Sequence, residues 1–458
     1  MHRFFTSFLA FALLAAAEPV DTIVSARYVV TMDAQHRVIE NGAVAIRGER
    51  IVEAGTRADI DRKYQAKNRI DEPSSLIAPG LINTHTHAPM SLFRGIADDL
   101  RLQDWLTKFI FPAEAKNVTA EFVRWGTRLA CLEMLLSGTT TYVDMYYFEE
   151  IVAEETKAAG MRGVLGQTVI GFPVPDAKTP ADELKRTELF IRRFQNDPLI
   201  VPAVAPHAVY TNSDETLQAA RELANRYKVP FVIHLSETKK ENDDLIAKRH
   251  ITPTQLLESI GALNGRTIAA HGVWVSDADI AILKRRNVGV AHCPSSNMKL
   301  ASGVAPLMKY LRAGIAVGLG TDGVAGSNND VDLFEEMDLA AKLQKVTTGD
   351  PEALNARQAV EMATIQGARA IGMEREIGSL EAGKRADLIT VSLGEPHAVP
   401  MYNVYSQLVY ALKSSDVRHV IINGKLVLRN RKCSTIDSAS VLAKTAEYQR
   451  KVLASLQH

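Results

Sequence analysis

His85-Thr86-His87, His234, His271 and Asp322 are the imidazole and carboxylate donors that a borderline-soft divalent metal takes, and each lies at or just beyond the end of a short apolar run. Residues two apart on a strand share a face, so His85 and His87 can aim two ring nitrogens at one ion. A His-x-His pair alone carries little weight, because polar loops contain such pairs for ordinary hydrogen bonding. The other members raise it: His234 lies within the run 231–235, His271 follows Ile268-Ala269-Ala270, and Asp322 follows Val317-Gly318-Leu319-Gly320-Thr321. Neutral imidazoles with one carboxylate can leave room on such an ion for a water, whose pKa the site lowers towards ~7. Asp322 is placed to accept that water's proton and His271 to orient it. Glu237, three residues beyond His234, brings a carboxyl group to the same mouth, where it can protonate the ring nitrogen beside an attacked carbon. The competing reading of Glu237 is a surface carboxylate that opens the charge run Glu237-Thr238-Lys239-Lys240-Glu241.

Scattered donors converge only if a fold gathers strand ends on one face. Apolar runs at 76–82, 139–143, 163–170, 200–205, 231–235, 267–270, 288–291 and 316–319 are separated by stretches of helical periodicity. Eight such strands predict a closed (β/α)8 barrel of the TIM type over residues 78–385, with its site at the C-terminal strand ends. Outside it, β-rich runs and turn signals fill 18–77 and return over 386–435. The first stretch reads as a small antiparallel sheet. Neither stretch can bury a core alone, so the two are expected to pair into one β-sandwich beside the barrel. Residues 436–458 read as a C-terminal helix, from about 438 to 456.

The motifs that carry these donors resemble a known family. Pro79-Gly80-Leu81-Ile82-Asn83-Thr84-His85-Thr86-His87-Ala88-Pro89-Met90, Phe93-Arg94-Gly95, Ala205-Pro206-His207, Ala291-His292-Cys293-Pro294-Ser295-Ser296-Asn297 and Gly320-Thr321-Asp322-Gly323 are similar to the amidohydrolase superfamily. Within it they resemble the methylthioadenosine/S-adenosylhomocysteine deaminase branch, which is close to the s-triazine chlorohydrolases and deaminases. The resemblance implies one catalytic divalent metal, usually zinc, on His85, His87, His234 and Asp322, with His271 beside the attacking water. It also implies that Glu114 grips ribose hydroxyls and that His207 contacts base or ribose. Binuclear relatives would need a bridging lysine after the fourth strand, where this chain has His207. The implied reaction is hydrolytic deamination of an adenine-type nucleoside with release of ammonia, Glu237, His271 and Asp322 being catalytic. Glu114, His207, Glu237 and Asp322 would contact substrate.

One departure bears on the substrate. Gln167 stands where members that use S-adenosylhomocysteine present an arginine, and the loop 171–181 contains no arginine. Arginine is the natural fork for an amino-acid carboxylate, so adenosine, 5'-deoxyadenosine and methylthioadenosine are favoured over S-adenosylhomocysteine. An s-triazine or guanine-type aminohydrolase needs the same metal core and is the main alternative, opposed by Glu114. A barrel that has become a binding protein is disfavoured by the complete donor set.

Composition narrows partners and compartment. Lys+Arg and Asp+Glu both total 53, so no basic field draws nucleic acid or an anionic membrane, and a small-molecule substrate fits better. No GxGxxG opens a helix and there is no GxxxxGK[ST] loop, so a nucleotide cofactor has no sequence support. Cys131, Cys293 and Cys433 form neither a metal pair nor a disulfide framework. His2 and Arg3 precede an apolar stretch that ends in Ala15-Ala16-Ala17, the pattern of a secretory signal covering residues 1–17. Export to the periplasm or the medium, with cleavage near Ala17 and no stable membrane span afterwards, is the expectation. Apolar surface on the barrel helices or the terminal sheet would suit a homo-oligomer.

Overall fold

The structure, a computed structural model, describes residues 17–456. Residues 1–16 of the expected export signal lie outside the described residues. Four strands open the fold: β1 (Glu18–Val30), β2 (Val38–Arg47), β3 (Arg50–Thr56) and β4 (Tyr64–Pro79). Eight more form the barrel: β5 (Leu81–Thr86), β6 (Thr139–Tyr146), β7 (Arg162–Val169), β8 (Ile200–Pro206), β9 (Phe231–Leu235), β10 (Thr267–His271), β11 (Gly289–His292) and β12 (Val317–Leu319). The last four, β13 (Leu388–Ser392), β14 (Val417–Ile422), β15 (Lys425–Arg429) and β16 (Lys432–Cys433), return to the first group. Strands β5 to β12 are parallel and close on themselves, β12 pairing with β5 through Leu319 and Asn83.

The barrel strands are buried along both faces, which is why they read as continuous apolar runs rather than alternating ones. The run 76–82 is the exception to a one-run, one-strand reading. It divides at Gly80: Leu76, Ile77 and Ala78 pair with β13, while Leu81 and Ile82 start the barrel. A Cβ on Gly80 would fall 2.2 Å from Thr140 Oγ1, so only glycine lets the chain pass from one sheet to the other this close to β6.

The two terminal stretches do pair, and their hydrogen-bond ladder is continuous through one mixed sheet in the order β16-β15-β14-β13-β4-β1-β2-β3. The expected all-antiparallel arrangement of the first stretch is corrected at one seam. The short helix Arg57–Lys63 carries the chain across from β3, so β4 lies parallel to β1, with Ile70 opposite Val24. A buried ion pair ties this sheet to the barrel: Arg162 Nε donates to Asp387 Oδ2 at 3.0 Å, with both side chains almost wholly buried. Asp387→Ala would leave that guanidinium buried without its partner. We expect it to destabilise the protein by about 3–5 kcal/mol, read as a lower urea midpoint.

The helix Ser438–Leu456 returns to the barrel's active face. Its Ser455 accepts hydrogen bonds from Lys116 Nζ at 2.9 Å and Asn117 Nδ2 at 2.8 Å, bracing the short helix Phe111–Asn117 that carries Glu114. No helix among the described residues is long and apolar enough to cross a membrane.

Candidate active site

Strand ends bring the donors together as their spacing predicts. His85 ends up inside β5, His87 one residue past it, His234 in β9 and Asp322 just beyond β12, and one ligand atom from each lies within 4.8 Å of all the others. His85 Nε2 and His87 Nε2 stand 3.4 and 3.2 Å from Asp322 Oδ1, and His234 Nε2 stands 3.3 Å from His87 Nε2. The other ring nitrogens of two of these histidines are committed: His87 Nδ1 donates to Met145 O and His234 Nδ1 to His207 O, each at 2.8 Å. With both rings neutral, the two Nε2 atoms present lone pairs to each other across a buried gap, an arrangement that favours a cation between them. His85 adds a buried ring with no hydrogen-bond partner at either nitrogen. The donor set fits a divalent metal.

Electrostatics agree with that fit. Burial pulls His85 down to about 4, which keeps its ring neutral and free to ligate. Burial opposes charge on His87 as well, but hydrogen bonding and charge from Asp322 outweigh it and lift His87 to about 9. A cation taken up here would displace that proton, so loading should release acid.

The carboxylate ligand is held from behind. Ser296 Oγ donates to Asp322 Oδ2 and the Gly323 amide to Oδ1, both at 2.7 Å. Such outer contacts typically carry a 10–100-fold share of metal affinity. Ser296→Ala should therefore weaken metal retention by about that factor in a chelator competition, with the fold intact. Asp144, buried behind the His85–His87 turn, accepts from Thr86 Oγ1 and the Ala88 amide at 2.6 Å and fixes the turn's shape.

Two residues at the site sit in left-handed backbone, His271 at φ 73° and Asp322 at φ 65°. Non-glycine residues pay of order 1–3 kcal/mol each for that conformation, which marks a position fixed by its surroundings. At His271 the surroundings include Asn297, whose Oδ1 lies 3.1 Å from His271 Nδ1. The Nε2 edge is left facing the pocket, 3.9 Å from Glu237 Oε2.

Glu237 is not a surface carboxylate. It is buried in the pocket, and burial together with the charge of Asp322 pushes it up to about 8, so it holds a proton at neutral pH. Its position comes from the charge run that follows. Thr238 caps the helix Lys239–Arg249, and on that helix's first turn Glu241 accepts from the Ser236 and Glu237 amides at 3.1 and 2.8 Å.

The pocket is lined by His87, His207, His234, Glu237, His271 and Asp322 on one side, with Glu114, Tyr146, Tyr147, Thr168 and Tyr210. Met90, Leu102, Trp105, Leu106, Ile110 and Phe111, from the excursion between β5 and β6, supply an apolar wall. His207 follows β8 and contributes its ring, kept neutral as burial drives it down to about 3. Gln167 does not line the pocket. Thr168 takes that side of β7, and Gln167 turns away to donate to Asp176 Oδ2 at 3.0 Å. His292 is buried outside the lining, and Tyr142 reaches Thr156 instead of the pocket. Tyr146, Tyr147 and Tyr210 are pocket residues that no motif singles out. Arg186, Arg192 and Arg193 lie on the helix Pro180–Phe194 and pair with Glu150, Glu188 and Glu154.

The sequence profile of the Amidohydrolase family matches residues 76–427. The chain belongs to the amidohydrolase family. Among its amidohydrolase relatives, a 5-methylthioadenosine/S-adenosylhomocysteine deaminase of Thermodesulfovibrio yellowstonii is 46% identical over 438 residues, covering 94% of this chain and 98% of that one. A 5'-deoxyadenosine deaminase of Methanosarcina acetivorans is 45% identical over 430 residues, or 93% of this chain and 97% of the relative. In structure, an adenosine deaminase from Xanthomonas campestris solved with bound zinc superposes with a TM-score of 0.94 at 38% identity, covering 96% of this chain and all of that one.

Proposed function

We propose that this amidohydrolase is a hydrolytic deaminase of adenine nucleosides that carry a small uncharged or apolar 5' group, such as adenosine, 5'-deoxyadenosine and methylthioadenosine. The observation that carries this reading is one pocket that combines the metal donor set with a proton-bearing Glu237 and a buried carboxyl at Glu114. We assign the metal as zinc, which suits three imidazoles and a carboxylate, and the zinc-bound Xanthomonas structure supports that choice.

His85, His87, His234 and Asp322 would hold a divalent cation, which when bound would supply the lowered water pKa that attack near neutral pH needs. Glu237 gives its proton to the ring nitrogen next to the amino-bearing carbon, which makes that carbon electrophilic. His271, fixed through Asn297, orients the incoming water on the attacked face. Asp322 accepts one proton of the water and returns it to the amino group, which leaves as ammonia, while the remaining hydroxyl proton passes to Glu237 as the carbonyl forms and restores its starting state. Water is consumed, ammonia is released, and no redox partner is needed.

Glu114 supplies the ribose end of recognition, since a carboxylate can accept from two vicinal hydroxyls. The apolar wall from Leu102 to Phe111 suits a methylthio or methyl group. No lysine or arginine is among the described residues lining the pocket, which disfavours a charged amino-acid tail. The test is a panel of metal-replete protein with adenosine, methylthioadenosine, S-adenosylhomocysteine, guanine and an amino-s-triazine, followed by ammonia release. The expected order places methylthioadenosine and adenosine well above S-adenosylhomocysteine; turnover of the triazine or guanine alone would overturn the nucleoside assignment.

Export of the mature chain completes the proposal, and it rests on the N-terminal sequence pattern. Finding the full N-terminus on cytosolic protein would remove it.

A further inference from the structure

Glu114 is held in an uncommon way. Tyr146 donates its hydroxyl to Glu114 Oε1 at 2.7 Å, and Tyr147 donates to Oε2 at 3.4 Å, so consecutive residues grip the two oxygens of one buried carboxyl. Neighbours on a strand should point to opposite faces. Here β6 ends at Tyr146, so Tyr147 is released from that alternation and its hydroxyl reaches the same carboxyl, and the chain turns at Phe148, in left-handed backbone at φ 53°. That turn is itself fastened. The Phe148 amide donates to Asp176 Oδ2 at 2.8 Å, and Gln167 Nε2 donates to the same oxygen at 3.0 Å. Arg186 Nε lies 3.3 Å from it, and the Asp176 side chain is wholly buried.

We infer that Tyr146 and Tyr147 are positioning residues that present Glu114 to the ribose diol, and that Asp176, on the loop after β7, fastens them in place. The inference rests on the nucleoside reading above and deepens it. A carboxylate offers about four acceptor directions, two on each oxygen. One on each is taken by a tyrosine, so each oxygen keeps capacity for one hydroxyl, and the pair matches two neighbouring hydroxyls of a ribose. Rotation of the carboxyl would break both tyrosine contacts, which fixes the plane in which the diol must lie. Burial pushes Glu114 up to about 7, and the tyrosine hydroxyls work against that rise by favouring the ionised, acceptor-only form. The loop after β7 thus reaches substrate through Glu114, and Gln167 serves that loop instead of touching a ligand.

The test compares adenosine with 2',3'-dideoxyadenosine in metal-loaded wild-type protein and in Tyr146→Phe, Tyr147→Phe and Asp176→Asn variants. The phenylalanines keep the ring and remove only the hydroxyl. In Tyr146→Phe the ratio of kcat/KM for adenosine to that for 2',3'-dideoxyadenosine should fall about tenfold, mostly through KM, matching one hydrogen bond to a charged group. Tyr147→Phe, with the longer contact, and Asp176→Asn should lower the ratio in the same direction by smaller factors. An unchanged ratio in Tyr146→Phe, whether both activities persist or both fall together, would overturn the inference and leave the deaminase reading standing. Wild-type protein that releases ammonia from neither compound would instead remove the reading itself, and the inference with it.

Discussion

Glu237→Gln should lower kcat for methylthioadenosine by about 10²–10⁴-fold, the range that a positioned proton donor contributes. Glutamine keeps the size and polarity of the side chain but cannot lend a proton to the adenine ring. The environment makes that proton available: Glu237 is buried, and desolvation with the nearby Asp322 charge raises it to about 8. A glutamic acid in water would have given its proton up several pH units lower. Metal content should stay at the wild-type level, because Glu237 is not among the four donors of the histidine-aspartate set. Substrate KM should change far less than kcat. A variant with near wild-type kcat would remove Glu237 from the chemistry, and one that lost its metal would show a ligand or structural role in its place.

Removal of a metal-facing imidazole should have an effect as large by a different route. In His234→Ala, metal measured by mass spectrometry should drop from about one per chain to background, and ammonia release should fall with it to the limit of detection. His234 bridges two parts of the site, since its Nε2 faces His87 and its Nδ1 is tied to His207 O. Thermal unfolding separates loss of metal from loss of fold. The apo wild-type and the variant should melt together, below the metal-loaded wild-type, because ligand binding to the native state alone raises stability by mass action. Full activity with stoichiometric metal in His234→Ala would contradict the assigned donor set.

Much of this was readable in the residue order. The barrel announces itself because its strands are buried on both faces and so appear as separated apolar runs, each ending where chemistry must sit. His85, His87, His234, His271 and Asp322 were legible for the same reason: one strand end per donor, and a spacing of two between the first pair. Other features depend on contacts that no local pattern encodes. The division of the run 76–82 is set by how closely Gly80 approaches Thr140 on another strand. The parallel seam between β1 and β4 follows from a short helix, Arg57–Lys63, within a stretch otherwise read as sheet. Gln167 shows the limit of matching by family position alone. The match places it after the third barrel strand, but strand parity turns it away from the pocket and leaves Thr168 there. Tyr147 is the converse case: it reaches Glu114 because β6 ends one residue earlier, beside a turn through left-handed Phe148 of which phenylalanine gives no hint.

The most direct measurement of the central claim is turnover of methylthioadenosine by metal-replete protein in oxygen-18 water, with mass spectrometry of the product and parallel ammonia assay. The account predicts a nucleoside product carrying one heavy oxygen in its base, with ammonia formed in equal amount and the methylthio group and glycosidic bond intact. Release of free adenine or of the thiol, or an unlabelled base, would contradict it.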